Sequence, residues 1–170
     1  MRVFDTIELV PVDTQFYSPH HDENRRLNFS RLCKQSLKEA KKGKMQPITP
    51  WGIHENPVGL ALVGVWSGPR IPEKATVIGH IAVTDVEDTK PGEVTATVGS
   101  LLVMPSARGF KFGERLLEAL QAAAKSEIPS LTGFKAVCND DSLPVFLRCE
   151  FEVAPQTIED GKTIVHKPVQ

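Results

Sequence analysis

The chain has 170 residues, of which 41% are hydrophobic and 24% charged, and its net charge is −1. This length suits one domain over residues 1–170 and is short for two. The near-neutral charge argues against a general nucleic-acid binder, and no apolar run approaches the ~18 residues of a transmembrane helix. Neither nucleic acid nor a membrane is therefore expected as a partner, and any anion site must be local.

The first half of the chain predicts one helix and four strands. Residues 2–12 alternate apolar and polar side chains, which is typical of a strand and unlike a signal peptide. Apolar residues then recur at helical spacing from a cap at Asp22 or Asn24 to about Lys42, and Gly43 ends that helix. Three further strands are predicted over residues 59–66, 75–85 and 93–105, with a turn over residues 85–92.

The second half predicts a helix, a strand, a short helix and a hairpin. Their ranges are 112–125, 131–140, 141–150 and 151–169, and Asp160-Gly161 is a good two-residue turn for the hairpin. Along the whole chain, antiparallel hairpins surround a single strand–helix–strand crossover. This order predicts a mixed α/β sheet and not a doubly wound parallel one.

The cysteines indicate neither a disulfide framework nor a metal site. There are three, Cys33, Cys138 and Cys149, with no C-x-x-C spacing. The histidines in loops show no spacing typical of metal ligands either, so no metal is expected. We therefore expect reduced thiols in a cytoplasmic protein. Cys149 follows Arg148 and is the cysteine to check as a nucleophile.

A basic, glycine-bearing loop, Arg108-Gly109-Phe110-Lys111-Phe112-Gly113, precedes the helix predicted at residue 112. Free backbone N–H groups at a helix N-terminus bind anions, and glycines allow a ligand to approach closely. The helix dipole and the charges of Arg108 and Lys111 add to this effect. The loop matches neither the P-loop nor the dinucleotide-binding glycine pattern. It predicts a phosphate or pyrophosphate site, with a simple glycine-containing turn as the alternative.

The segment from Asn139 to Phe151, NDDSLPVFLRCEF, adds a second motif. Together with Val103-Met104-Pro105 and the basic loop, it resembles the GNAT superfamily of acyl-CoA-dependent N-acyltransferases. That family carries V-x-P, then [Q/R]-x-x-G-x-[G/A], and later N-x-x-A-x-x-x-Y-x-x-x-G-F. The resemblance implies a mostly antiparallel sheet of about seven strands with about four helices, in which two neighbouring strands are splayed apart.

The resemblance also implies a ligand and a reaction. The loop amides would hold the pyrophosphate of coenzyme A, the strand before Pro105 would pair with the pantetheine arm, and Asn139 would lie beside that arm. The implied coenzyme-binding residues are Leu101, Leu102, Val103, Arg108, Gly109, Phe110, Lys111, Phe112, Gly113, Asn139 and Phe146. Acetyl-CoA would donate its acetyl group to a primary amine of a small molecule or peptide by direct attack in a ternary complex, with a homodimer as one option for the assembly.

Three positions depart from the family pattern in ways that matter for structure or chemistry. Lys111 replaces a loop glycine and disfavours a positive φ there. Glu150 replaces the glycine after the last helix, which predicts a differently ended helix. Phe146 replaces the tyrosine that protonates the departing thiolate in many members. A placed general acid is worth roughly 10²–10⁴ in rate, so a slow enzyme is still consistent with phenylalanine.

The general base is not evident from the pattern. Family members often carry an acid two or three residues before V-x-P, where this chain has Ser100 and Leu101. The remaining candidates are Glu93, which begins the same strand, and His80, which lies in the middle of the preceding strand. Each has a plainer interpretation, Glu93 as a solvated turn residue and His80 as a satisfied sheet residue.

Two other functions are compatible with these patterns. A non-enzymatic acyl-CoA-binding module on the same scaffold would explain Phe146 and the missing acid. A phosphate-binding interaction domain without coenzyme A would explain the basic loop, but the intact spacing from Asn139 to Phe151 argues against it.

Overall fold

The computed structural model describes residues 7–12, 23–49, 60–67, 75–157 and 162–169. Within these ranges, seven strands form one sheet in the order β1-β2-β3-β4-β5-β7-β6. The strands are β1 Ile7–Pro11, β2 Ala61–Ser67, β3 Ala75–Lys90, β4 Glu93–Val103, β5 Gly133–Cys138, β6 Glu152–Thr157 and β7 Thr163–Pro168. The helices are α1 Glu23–Lys41, α2 Phe112–Glu127 and α3 Leu143–Arg148, with a short 3-10 helix at Pro105–Ala107.

The sheet is mixed, as the element order predicts. Every neighbouring pair of strands is antiparallel except β4 and β5, which are parallel because the chain crosses over through α2 between them. Pairing between β4 and β5 ends at Val98 and Ala136, although the strands continue to Val103 and Cys138. The two strands are therefore splayed at their carboxyl ends, and the predicted fold class is confirmed.

The turn predicted over residues 85–92 is much shorter in the structure. Strand β3 continues to Lys90, and Val86 and Asp88 pair with residues of β4. Only Pro91 and Gly92 form the turn, where Gly92 has a φ of 82°. The run of polar residues suggested a loop, but these residues form an exposed two-stranded ribbon whose backbone pairing does not need apolar side chains.

Two apolar layers cover the faces of the sheet. Helix α1 packs on one face through Phe29 and Leu32 against strand residues such as Val63. Helices α2 and α3 pack on the other face, with Leu116 and Phe146 in the larger cluster. The splayed ends of β4 and β5 therefore lie between α1 on one face of the sheet and α2 and α3 on the other.

The N-terminus of α2 is anchored by the ring of Phe112. This side chain is 2% exposed and lies against Gly64 of β2 and Gly79 of β3. A Cβ atom at Gly64 would stand 1.9 Å from a ring carbon, and one at Gly79 would stand 2.5 Å from another. Two glycines on neighbouring strands therefore create the space that sets where α2 begins.

Helix α3 ends as if Glu150 were a glycine. Glu150 has a φ of 68°, in the left-handed region. The N–H of Phe151 donates to the carbonyl of Phe146 at 3.1 Å, and the N–H of Glu150 donates to that of Leu147 at 3.2 Å. This is the Schellman arrangement that usually contains glycine. The prediction of a differently ended helix is wrong, because the backbone keeps the glycine conformation despite its cost.

Replacing Glu150 by glycine should stabilise the protein by about 1 kcal/mol. A non-glycine residue in the left-handed region costs roughly 1–2 kcal/mol, and the greater freedom of an unfolded glycine offsets part of the gain. The carboxylate itself contributes little, because its side chain is 82% exposed and lies 3.9 Å from Lys167. Urea unfolding of wild type, Glu150→Gly and Glu150→Ala measures this. The alanine variant lacks the same carboxylate without freeing the backbone, so equal stability of the two variants would contradict the account.

Candidate functional site

Two adjoining clefts open where β4 and β5 separate. The first, the loop cleft, has a volume of about 670 Å³ and lies at the N-terminus of α2. Of the coenzyme-binding residues implied by the sequence, all but Phe110 and Phe146 line it. The second, the sheet cleft, has a volume of about 690 Å³, and Phe146 lines it. The chain thus gathers residues from β4, the basic loop and the segment after β5 into one cavity.

The wall of the loop cleft is the first turn of α2. Lys111 caps this helix with φ 57° and ψ 28°, and the N–H of Arg115 donates to its carbonyl at 3.4 Å. The N–H groups of the three preceding positions, Phe112, Gly113 and Glu114, have no carbonyl one turn earlier to bond. Lysine therefore adopts the conformation that the family pattern assigns to glycine, contrary to the expected restriction, and adds a cation.

Arg108 is already oriented toward the cleft by two partners. Its Nε donates to the carbonyl of Val103 at 3.0 Å, and its Nη2 lies 3.4 Å from Oε1 of Glu39. Burial raises the pKa of the Glu39 carboxyl, but the hydrogen bonds from Gln35 and Arg108, together with the positive charges of Lys42 and Arg108, outweigh that effect and leave the pKa below its usual value. Sequence reasoning missed Glu39, whose only signal is an acid within the basic run of residues 38–44.

Asn139 ties three parts of the chain together at the junction of the clefts. Its Nδ2 donates to the carbonyl of Lys44 at 2.6 Å, and its Oδ1 accepts from the N–H groups of Asp141 and Ser142, each at 2.9 Å. Lys44 Nζ in turn lies 2.6 Å from Oδ2 of Asp141. Five residues line both clefts and so form the boundary between them: Lys44, Met45, Leu101, Asn139 and Ser142.

Strand β4 contains a bulge at its splayed end. Ala82 and His80 of β3 pair with Gly99 and Leu102 of β4, so β4 carries one residue more than its partner in this interval. Ser100 within the bulge has a φ of 54°. The Nδ1 atom of His80 lies 2.8 Å from the carbonyl oxygen of Ser100 and must carry the hydrogen, since a carbonyl only accepts.

His80 is 3% exposed, and burial lowers its pKa to about 4. Its ring is therefore neutral near pH 7. Although it touches the bulge, His80 is not among the lining residues of either cleft.

Glu93 lies far from this site. It is the first residue of β4, beside the β3–β4 turn, and its carboxylate accepts a hydrogen bond from Oγ1 of Thr89 at 3.4 Å. The seven residue-to-residue steps from Glu93 to Ser100 span roughly 23 Å of strand. The structure does not bring Glu93 to either cleft.

The remaining chemical candidates are buried, except Cys33, which is half-buried. Phe146 is 2% exposed and packs edge-to-face on Phe151, with ring centroids 5.1 Å apart. Burial raises the pKa of Cys149 to about 11, and it does the same for Cys33 and Cys138. All three thiols are therefore protonated near pH 7, which argues against a cysteine nucleophile.

The described residues contain no group of three or more histidine, cysteine or acidic side chains that could hold a metal ion. Within the same part of the chain, no helix is long and apolar enough to cross a membrane. Some predicted features lie outside the described residues, namely the loop histidines His20, His21 and His54 and the Asp160-Gly161 turn.

Comparison with known proteins identifies relatives at the level of family and fold. The family model of the acetyltransferase (GNAT) family matches residues 26–151. No curated protein matches the chain by sequence.

Solved structures extend the likeness to almost the whole chain. N-acetylglutamate synthase from Neisseria gonorrhoeae, complexed with coenzyme A and N-acetyl-glutamate, has a TM-score of 0.68 at 12% identity over 96% of this chain, which spans only 35% of that enzyme. The NatC complex bound to Gag peptide and CoA has a TM-score of 0.68 at 14% identity, covering 96% of this chain and 99% of that one. Arabidopsis thaliana NAA60, complexed with a bisubstrate analogue, has a TM-score of 0.67 at 12% identity, with 97% and 100% covered.

Proposed function

The chain belongs to the GNAT acetyltransferase family, and from this premise we propose that it transfers an acetyl group from acetyl-CoA to a primary amine. The matched region, residues 26–151, contains the three sequence motifs and every residue that lines the two clefts except Lys162. We further propose that residues 1–170 form one domain, since strands from Ile7 to Pro168 share a single sheet. A cytoplasmic location is supported by three free thiols.

The main support for the proposal is that the splayed ends of β4 and β5 lie beside the N-terminus of α2. The pyrophosphate of acetyl-CoA would bind the amides of Phe112, Gly113 and Glu114, with Arg108 and Lys111 beside them. The pantetheine arm would then run along β4 beyond Val98, where the strand no longer pairs with β5. Its amides can bond the free strand edge as an added strand does.

The acceptor amine would enter from the sheet cleft, which meets the loop cleft at Leu101 and Asn139. In this arrangement the neutral amine attacks the thioester carbon directly, and backbone N–H groups near Leu102 and Val103 stabilise the oxyanion. The C–S bond then breaks, and the proton lost by the nitrogen balances the one gained by the coenzyme A thiolate, with solvent between them. The three thiols are protonated near pH 7, which supports direct transfer without an acyl-enzyme. Relatives of this fold were solved with N-acetyl-glutamate and with a peptide, so amino acids and peptide N-termini are the first acceptors to test.

The thiolate can depart without a general acid near neutral pH, because an alkyl thiol has a pKa of roughly 8.5, but a placed acid would accelerate the departure. Phe146 lines the sheet cleft but carries no proton to donate. We therefore expect slow thiol release from acetyl-CoA in wild type and faster release in Phe146→Tyr, by about tenfold or more below pH 8. A panel of amino acids and peptide amines, assayed over pH 6 to 9, tests this.

The coenzyme affinity of both proteins, measured by calorimetry, serves as the control and should be equal. Thiol release that stays at background with every amine, in both proteins, would contradict an enzymatic role. Retained acetyl-CoA binding in that case would favour the non-enzymatic acyl-CoA-binding module.

A further inference from the structure

We propose that His80 is a positioning residue, which holds the β4 bulge in the conformation that presents the backbone near Leu102 and Val103 to the thioester. The role rests on the proposed acetyl transfer. In this role His80 exchanges no proton with the substrate. Its imidazole donates a permanent hydrogen bond to the carbonyl of Ser100.

The bulge needs such a partner for two reasons. Ser100 has a φ of 54°, and a non-glycine residue pays for this left-handed conformation. A bulge also leaves its extra residue outside the regular hydrogen-bond ladder between the strands. A carbonyl in that position is costly unless another donor reaches it, and Nδ1 of His80 does so at 2.8 Å.

The surroundings of His80 fit a structural donor better than a base. The side chain is 3% exposed and faces α1, where its ring centroid lies 6.4 Å from that of Phe29. Ser100 lines the sheet cleft and Leu101 lines both clefts, whereas His80 lines neither. The imidazole can therefore affect a bound thioester only through the peptide backbone that it holds.

The effect would be directed at the reacting end of the coenzyme. The bulge lies four residues before Met104, at the splayed end of β4, while the pyrophosphate site is formed by the first turn of α2. Loss of the His80 bond should therefore change turnover much more than coenzyme affinity.

The test compares wild type with His80→Asn, His80→Leu and the double variant His80→Leu/Ser100→Gly. Asparagine places an amide N–H close to the position of Nδ1 and keeps the donor, whereas leucine has similar bulk and no donor. Glycine at position 100 adopts the left-handed conformation without support. Hydrogen exchange by mass spectrometry reports the segment Gly99–Val103 independently of any acceptor.

We expect exchange in this segment to accelerate at least tenfold in His80→Leu and to stay within about threefold of wild type in His80→Asn and in the double variant. If His80→Leu does not fold, recovery of folding in the double variant is the expected result. Unchanged exchange in folded His80→Leu, or a double variant no better protected than His80→Leu, would overturn the proposal.

Kinetics with acetyl-CoA and the best amine of the panel separate positioning from base catalysis. We expect kcat to fall at least tenfold in His80→Leu with little change in KM for acetyl-CoA, and to recover in His80→Asn. An asparagine variant that exchanges like wild type but is as inactive as His80→Leu would make His80 the base and overturn the proposal. Absence of thiol release in wild type would count against the proposed function alone, because the exchange experiment still decides whether His80 holds the bulge.

Discussion

Gly113→Glu is expected to weaken acetyl-CoA binding by at least a hundredfold. Gly113 occupies the first turn of α2, where its amide and those of its neighbours form the proposed pyrophosphate site. A carboxylate there repels the phosphates, and each charge-assisted hydrogen bond lost costs about 1.5–3 kcal/mol. A hundredfold change in Kd corresponds to about 2.7 kcal/mol, so the loss of one or two contacts suffices.

The matched control is Gly113→Ala. A Cβ atom at this position would stand 3.3 Å from Cγ1 of Val145 and 3.7 Å from Cγ2 of Val103, so alanine needs only a small local adjustment. Titration calorimetry should give this variant an affinity within about tenfold of wild type, and thermal melts should show both variants folded. A Kd for folded Gly113→Glu within threefold of wild type would remove the pyrophosphate assignment.

Gly64→Ala should destabilise the protein by about 3 kcal/mol and weaken coenzyme binding as well. The added Cβ would stand 1.9 Å from the end of the Phe112 ring, which is 2% exposed and cannot swing into solvent. Overpacking of this kind typically costs 1–3 kcal/mol, and such an overlap belongs at the upper end. Because Phe112 is the first residue of α2, its displacement also moves the helix N-terminus.

Two companions make this experiment specific. Gly133→Ala, in β5 of the same sheet, places a Cβ at an ordinary 3.5 Å from the carbonyl of Lys167 and should change stability little. Phe112→Leu removes the end of the ring, so the double variant with Gly64→Ala should be less destabilised than the sum of the single changes by at least about 1 kcal/mol. Strict additivity in urea unfolding would show that the ring and the glycine do not compete for space.

Local patterns in the sequence were sufficient for the order of the elements and for half of the residues that line the loop cleft. The periodicity before Lys42 and the stop at Gly43 match α1, which ends at Lys41 and is followed by Gly43 with a φ of 72°. The glycine-bearing loop before residue 112 lies where a helix N-terminus meets a cavity. Such features depend on neighbours in the chain, whose spacing is visible in the sequence.

The features that sequence reasoning missed depend on distant residues. Glu39 and Arg108 are 69 positions apart in the chain. The residues near Glu39 therefore do not indicate that a buried acid at the end of α1 pairs with Arg108. The bond from His80 to Ser100 needs both the register of β3 with β4 and the bulge, neither of which alternation reveals. Glu93 shares a strand with the site, but strand membership says nothing of which end of a strand meets a cleft.

The splay between β4 and β5 has a consequence for the lifetime of the protein. Within the described residues, the first four strands of the sheet pair with the last three through one short parallel register, from Thr95–Gly133 to Val98–Ala136. A ligand that binds in the gap would contact both parts of the sheet. At a hundredfold excess over its Kd it would raise the free energy of unfolding by about 2.7 kcal/mol. If that ligand is acetyl-CoA, as proposed above, the protein without it would be proteolysed more readily, and the amount of protein would follow the supply of acetyl-CoA.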